Sequence, residues 1–285
     1  MLSDNLKKII PNFITLSNLF LGFVSIILLS QSFEYDNYIR IACYLIFIAA
    51  FLDTVDGKIA RKLGISSDFG KEIDSLADLV SFCLVPSFLL FTWYIKFSEI
   101  NFYFLILLSS FPVLFGAIRL AKYNVMRNMR ESIKYIGMPT PANAIFICAL
   151  VLFSMNNTIY ILPDVYPHPV YSMKLPIFKW MYTFLGFILK NDFSILLLSI
   201  FSSFLLMSSA DYNKFPLISF KINKKNNIDL FNLILFILIL LASVWLNYYD
   251  IVLLFFILIY IFGNLGRYFF LKVINKKEGI NINES

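Results

Sequence analysis

Metal-binding side chains are scarce in this sequence. It has one histidine, His168, and three cysteines, Cys43, Cys83 and Cys148. Each cysteine lies in its own apolar stretch, so neither zinc-ligand spacing nor a disulfide framework is present. The three are expected as small core residues. His168 sits in the proline-rich VYPHPV and is assigned no role. Charge is also sparse. Only 15% of residues are charged, against about 25% in soluble domains, which excludes an ordinary soluble protein. The net charge of +6 does not point to nucleic acid, because the basic residues fall in short loops between apolar runs, as membrane topology requires.

What fills the chain instead is apolar. Hydrophobic residues make up 59%, phenylalanine alone accounts for 32 positions, and the mean hydropathy is +0.77. Crossing the hydrocarbon takes about 20 apolar residues. Eight segments qualify: about 13–31, 39–58, 73–95, 101–121, 141–160, 192–210, 228–247 and 250–271. The expected fold is an all-α, polytopic membrane helical bundle with both termini cytoplasmic. Residues 1–225 read as one catalytic unit, and 226–285 as two further spans and a tail. Met1–Asn12 is polar and runs into a span-length apolar run, so a cleavable signal peptide is not expected.

The basic residues test this topology. With both termini inside, nineteen lysines and arginines face the cytoplasm and five face the other side. That asymmetry follows the positive-inside rule. It leaves 156–191 as a long outer loop, within which MKLPIFKWMYTFLGFILK suits an interfacial position.

One stretch breaks the apolar pattern. FLDTVDGKIARKLGISSDFGKEIDSLADLVSF, from Phe51 to Phe82, holds six of the chain's 18 acidic residues. Asp53 and Asp56 are spaced i, i+3, and Asp74 and Asp78 are spaced i, i+4, so each pair falls on one helix face. Four converging carboxylates repel one another and are costly to desolvate. Divalent cations relieve both costs, and an all-oxygen donor set selects Mg²⁺, Mn²⁺ or Ca²⁺ over zinc. Two ions about 3.5–4 Å apart would clamp a phosphoryl group for in-line displacement. Gly57 would allow close approach by a ligand, and Arg61 could meet a phosphate. Asp68 and Glu72 fall off the paired faces and read as solvated charges. Two readings compete with a phosphoryl-transfer site: interfacial charges at helix ends, and an ion translocation site. Translocation sites tend to lie at the midplane on broken helices, whereas this cluster sits at one boundary.

The stretch resembles the signature of the CDP-alcohol phosphatidyltransferase family, D-x-x-D-G-x-x-A-R followed by G-x-x-x-D-x-x-x-D. Asp53, Asp56, Gly57, Ala60, Arg61, Gly70, Asp74 and Asp78 occupy every position, with eight residues between Arg61 and Gly70. The resemblance implies two divalent cations, Mg²⁺ or Mn²⁺. Asp53 and Asp74 would bridge both, Asp56 would complete one site and Asp78 the other. Asp78 would also be the general base. Gly57, Ala60, Arg61, Ser67 and Gly70 would contact a CDP-linked lipid, with Asn12 and Thr15 of PNFIT as further contacts. Helix capping is the alternative for that pair.

IPNFITLSNLFLGF, DSLADLVSFCLVPS, GAIRLAKYNV, YIGMPTPANA and FLLMSSADYNKF are similar to the branch of the family that uses L-serine as acceptor and CDP-diacylglycerol as donor. The likeness covers most of residues 9–225. GMPTPAN departs from the branch pattern in having Met138 and Asn143, and SSADYNKFPLISFK is rearranged. Arg119, an arginine within apolar sequence, could grip the serine carboxylate through two hydrogen bonds, with Lys122, Tyr123 and Asn124 beside it. Snorkelling to the headgroups is the alternative for Arg119. Glycerol 3-phosphate or inositol phosphate stays open as acceptor, because Arg119, Lys122, Arg127 and Arg130 could form a basic cluster. Gly137, Pro139 and Pro141 are expected to shape the entry to the fifth span. The resemblance further implies a homodimer, and the charge asymmetry puts the acidic stretch at the cytoplasmic face of an inner cell membrane.

Overall fold

The computed structural model describes residues 4–63, 68–129, 137–161, 176–189, 193–210, 212, 235, 238–246 and 248–277. Among these residues there is no strand. The helices are α1 (Asp4–Ser30), α2 (Asn37–Leu63), α3 (Asp68–Asp78), α4 (Val85–Phe97), α5 (Phe102–Ser109), α6 (Phe111–Met129), α7 (Thr140–Ile161), α8 (Pro176–Ile188), α9 (Ser194–Leu206) and α10 (Tyr249–Lys277). A π-helical turn, Leu79–Leu84, joins α3 to α4 without a break. Five helical stretches are long and apolar enough to cross a membrane: Pro11–Ser30, Asn37–Gly57, Asp68–Phe97, Phe102–Val125 and Tyr249–Val273.

These five correspond to the first four and the last of the eight expected spans. The fifth and sixth appear as the shorter apolar helices Thr140–Met155 and Ser194–Leu206. Half of the expected span at 228–247, including all of 228–234, lies outside the described residues. So do His168 and residues 162–175 of the outer loop, of which α8 is described.

α1 shows how the sequence builds the bundle. Its buried positions are Pro11, Thr15, Asn18, Gly22, Ser25 and Leu29, a seam at alternating spacings of three and four. Its outward side carries Phe13, Phe20, Phe23 and Ile27. The small and polar residues therefore face protein, and the large apolar ones face lipid. Without a hydrophobic drive between helices in lipid, small residues let backbones approach closely. Ser25 Oγ donates to the Leu21 carbonyl at 2.8 Å, one turn back, so its polar group is satisfied locally.

Two glycines fix the π-helical turn. A Cβ on Gly22 would stand 2.5 Å from Ser81 Oγ, and one on Gly116 would stand 2.9 Å from Cys83 Cβ. Only glycine permits α1 and α6 to pack this closely against the turn. The turn is thereby held between two helices immediately after Asp78. The core continues through α7, whose residues from Phe146 to Phe153 are all buried. A helix buried all round is the signature of a central position. All three cysteines are buried and free, as expected.

α7 begins where the prolines suggest. Gly137 has φ of +84°, and its N–H donates to the Ala210 carbonyl at 2.9 Å. The Met138 N–H donates to the Leu205 carbonyl at 3.0 Å. Thr140 opens the helix and Pro141 follows in its first turn, where a missing N–H costs nothing. At the opposite end of the bundle, the Tyr182 hydroxyl donates to the buried Asp250, tying α8 to α10.

Candidate active site

α2 ends and α3 begins at the same end of the bundle, so their carboxylates converge. Oxygens of Asp53, Asp56 and Asp74 lie within 4.8 Å of one another. Asp78 stands one turn beyond Asp74 on the same face of α3, close enough for the charges of Asp53 and Asp74 to act on it. The i, i+3 and i, i+4 spacings place both pairs on facing sides, as read from the sequence.

Two of the carboxylates are held by hydrogen bonds from neighbouring helices. Asp56 is buried, at 3% exposure, and Thr15 Oγ1 donates to its Oδ2 at 2.8 Å. Asp78 Oδ2 accepts from Thr140 Oγ1 at 3.4 Å. Thr140 was not singled out in the sequence. It lies in GMPTPAN, a segment whose sequence points to the family and to a helix entry but not to a partner for Asp78. Arg119, on α6, is buried at 7% exposure, and its charge acts on both Asp53 and Asp78. Its guanidinium also lies 6.0 Å from the Tyr123 ring. A buried arginine facing carboxylates fits a charge-paired group better than one snorkelling to headgroups.

The other expected residues divide. Asn124 is held by Ser75 on α3, with Asn124 Nδ2 donating to Ser75 Oγ at 3.0 Å. This ties α6 to the turn carrying Asp74. Lys122 is exposed. Gly57 lies in α2 beside Asp56, and a Cβ there would meet nothing within 4 Å, so space opens over the backbone. Gly70 lies in α3, and Asn12 is half-buried on α1. Ser67, Arg130 and the rearranged segment beyond Tyr212 lie outside the described residues, as do the side chains of Ala60, Arg61 and Arg127. Asp68 is 95% exposed and pairs with Lys71 at 2.7 Å. Glu72 is exposed. Both behave as solvated charges.

The donor set is hard oxygen throughout, which suits Mg²⁺ or Mn²⁺. Carboxylates this close repel unless a cation or proton stands between them.

A family model described as CDP-alcohol phosphatidyltransferase matches residues 8–204. The chain belongs to this family. Its members are divalent-metal dependent, and the cluster on α2 and α3 has the donor chemistry for such ions. Among similar proteins is the CDP-diacylglycerol–serine O-phosphatidyltransferase of Helicobacter pylori, 38% identical over 144 residues. That match covers 50% of this chain and 56% of the relative. The protein of the same description from Methanocaldococcus jannaschii is 34% identical over 54% of this chain and 69% of its own. That from Bacillus subtilis is 35% identical over 53% and 78%. The chain thus spans little more than half the length of the Helicobacter relative.

Proposed function

We propose that this chain transfers the phosphatidyl group of CDP-diacylglycerol to the hydroxyl of L-serine, giving phosphatidylserine and CMP. The observation that carries this reading is the convergence of Asp53, Asp56 and Asp74, with Asp78 one turn beyond Asp74, in a chain of this family, whose similar proteins are named for serine transfer.

Asp53, Asp56, Asp74 and Asp78 would hold two divalent cations. When bound, these neutralise the diphosphate and the charge that develops on it. The protein's own groups do the rest. Asp78 accepts the proton of the serine hydroxyl, and the hydroxyl oxygen forms its bond to the lipid-side phosphorus. The bond from that phosphorus to the bridging oxygen breaks, and CMP leaves with the electron pair. Thr140 orients the Asp78 carboxyl. Arg119 grips the serine carboxylate, a group that glycerol and inositol lack, and Lys122 and Asn124 border that pocket. Asn12, Thr15, Gly57, Ala60, Arg61, Ser67 and Gly70 hold the CDP-lipid, whose acyl chains stay in the bilayer.

Serine and CMP would exchange with the cytoplasm, which fits a site at that face of the inner membrane. Residues 1–225 form the catalytic unit. The segments beyond serve as scaffold or as contact in a homodimer.

The test is CMP release by the purified chain with CDP-diacylglycerol and Mn²⁺ or Mg²⁺. Serine, glycerol 3-phosphate, inositol and inositol phosphate are supplied separately. Release with serine alone is expected, falling about 10²–10⁴-fold in Asp78→Asn, the usual contribution of a general base. Release with a different acceptor alone would keep the site and overturn the assignment of Arg119. No release with any acceptor would overturn the reaction itself.

A further inference from the structure

Asn18 is a buried residue that the reaction above does not use. It lies in the middle of the inward seam of α1, fully buried, and neither its Oδ1 nor its Nδ2 has a hydrogen-bond partner. Buried side-chain amides with both ends unpartnered are rare in folded proteins and call for an explanation. Nothing in helix packing requires an amide here, because α1 satisfies the rest of its seam with small or apolar groups.

Its neighbours place it. α1 and α2 run antiparallel, and the Thr15 hydroxyl reaches Asp56 at 2.8 Å. One turn along α1 from Thr15 is Asn18, and one turn back along α2 from Asp56 is Asp53. A turn rises about 5.4 Å on each helix, so Asn18 lies level with Asp53. The backbone carbonyl of Asn18 accepts from Ser81 Oγ at 3.0 Å, and Ser81 is three residues beyond Asp78. Asn18 is therefore fixed at the floor of the carboxylate cluster, between α2 and the π-helical turn.

We propose that Asn18 is a positioning residue for the divalent cations, acting through Asp53. One oxygen of Asp53 lies within 4.8 Å of oxygens of Asp56 and Asp74. With cations drawing on these carboxylates, the Asn18 amide donates to the Asp53 oxygen left free and fixes the carboxylate's orientation. Groups that orient metal ligands in this way typically govern affinity by about 10–100-fold. This inference rests on the cation reading of the site given above.

The experiment uses the full chain in detergent, with Mn²⁺ as the probe. Free Mn²⁺ is followed by electron paramagnetic resonance, and thermal unfolding is recorded without metal. Asn18→Leu keeps the side-chain volume close and Asn18→Ala removes it; both delete the amide. Both variants are expected to bind Mn²⁺ about 10–100-fold more weakly, while the metal-free Tm holds or rises because an unpartnered amide has gone. Unchanged Mn²⁺ affinity in either folded variant would overturn the proposal. So would loss of folding in both, which would assign the amide to the metal-free bundle. If the wild type itself bound no Mn²⁺, the cation reading would fall and this inference with it. Binding by wild type, lost in Asp53→Asn but retained in both Asn18 variants, would overturn this inference alone.

Discussion

The Thr15 hydroxyl donates to Asp56 Oδ2 across 2.8 Å, joining the first helix to the carboxylate cluster on the second. Asp56 is 3% exposed, so solvent is poorly placed to replace that donor. Thr15→Val keeps the branched shape and removes the hydrogen bond. A hydrogen bond to a charged group contributes about 1.5–3 kcal/mol, which corresponds to roughly tenfold to a hundredfold in affinity. The Mn²⁺ concentration for half-maximal CMP release should rise by that factor. An unchanged Mn²⁺ requirement would show that Thr15 serves helix packing only.

Gly57 gives a prediction in which stability and activity part. A methyl group there meets nothing within 4 Å, and replacing glycine by alanine within a helix gains about 1 kcal/mol. Gly57→Ala should therefore raise the Tm slightly. If the open space above Gly57 receives the CDP-lipid, CMP release should fall in the same variant, chiefly through KM for CDP-diacylglycerol. Retained activity would move the lipid headgroup elsewhere.

Arg119→Lys separates charge from geometry. Both side chains are cationic, but only arginine presents the planar fork that matches a carboxylate. KM for serine should rise about tenfold or more, as expected from losing one charge-assisted hydrogen bond. KM for CDP-diacylglycerol should stay near that of the wild type. Equal effects on the two substrates would assign Arg119 to the carboxylate cluster rather than to the acceptor.

Gly137→Ala tests the start of α7. With φ at +84°, any side chain strains the backbone, at about 1–2 kcal/mol, and a Cβ would press on the Leu206 carbonyl oxygen. The Tm in detergent should fall. Because Thr140 lies three residues on and faces Asp78, CMP release should fall with it. A stable and active Gly137→Ala protein would show that this junction can relax.

The clustering of the carboxylates was legible because it is local. Spacings of three and four on two helices joined by a short link leave the pairs Asp53–Asp56 and Asp74–Asp78 little choice but to face each other. The partners that set those carboxylates were not legible. Thr140 meets Asp78 across 62 positions and Ser75 meets Asn124 across 49, and no period within a helix encodes such distant pairing. Hydropathy likewise found the lipid-facing helices Pro11–Ser30 and Asn37–Gly57 well. It could not distinguish a segment bordered by lipid from one enclosed by protein, as the buried run from Phe146 to Phe153 illustrates. Asn18 looked like one polar residue in a greasy helix. Only the seam from Pro11 to Leu29 gives its position meaning.

The π-helical turn at Leu79–Leu84 has a consequence for how this span tolerates change. Such a turn takes in one residue more than regular winding would. Removing a residue there would let the helix close into regular winding while the half bearing the carboxylates and the half beginning at Val85 keep their phase to one another. The turn is thus slack in the length of this span. A single deletion between Leu79 and Leu84 should leave Trp93 and Tyr94 in the core, where the same deletion in a regular helix would turn them by about 100°, an error of phase rather than of composition.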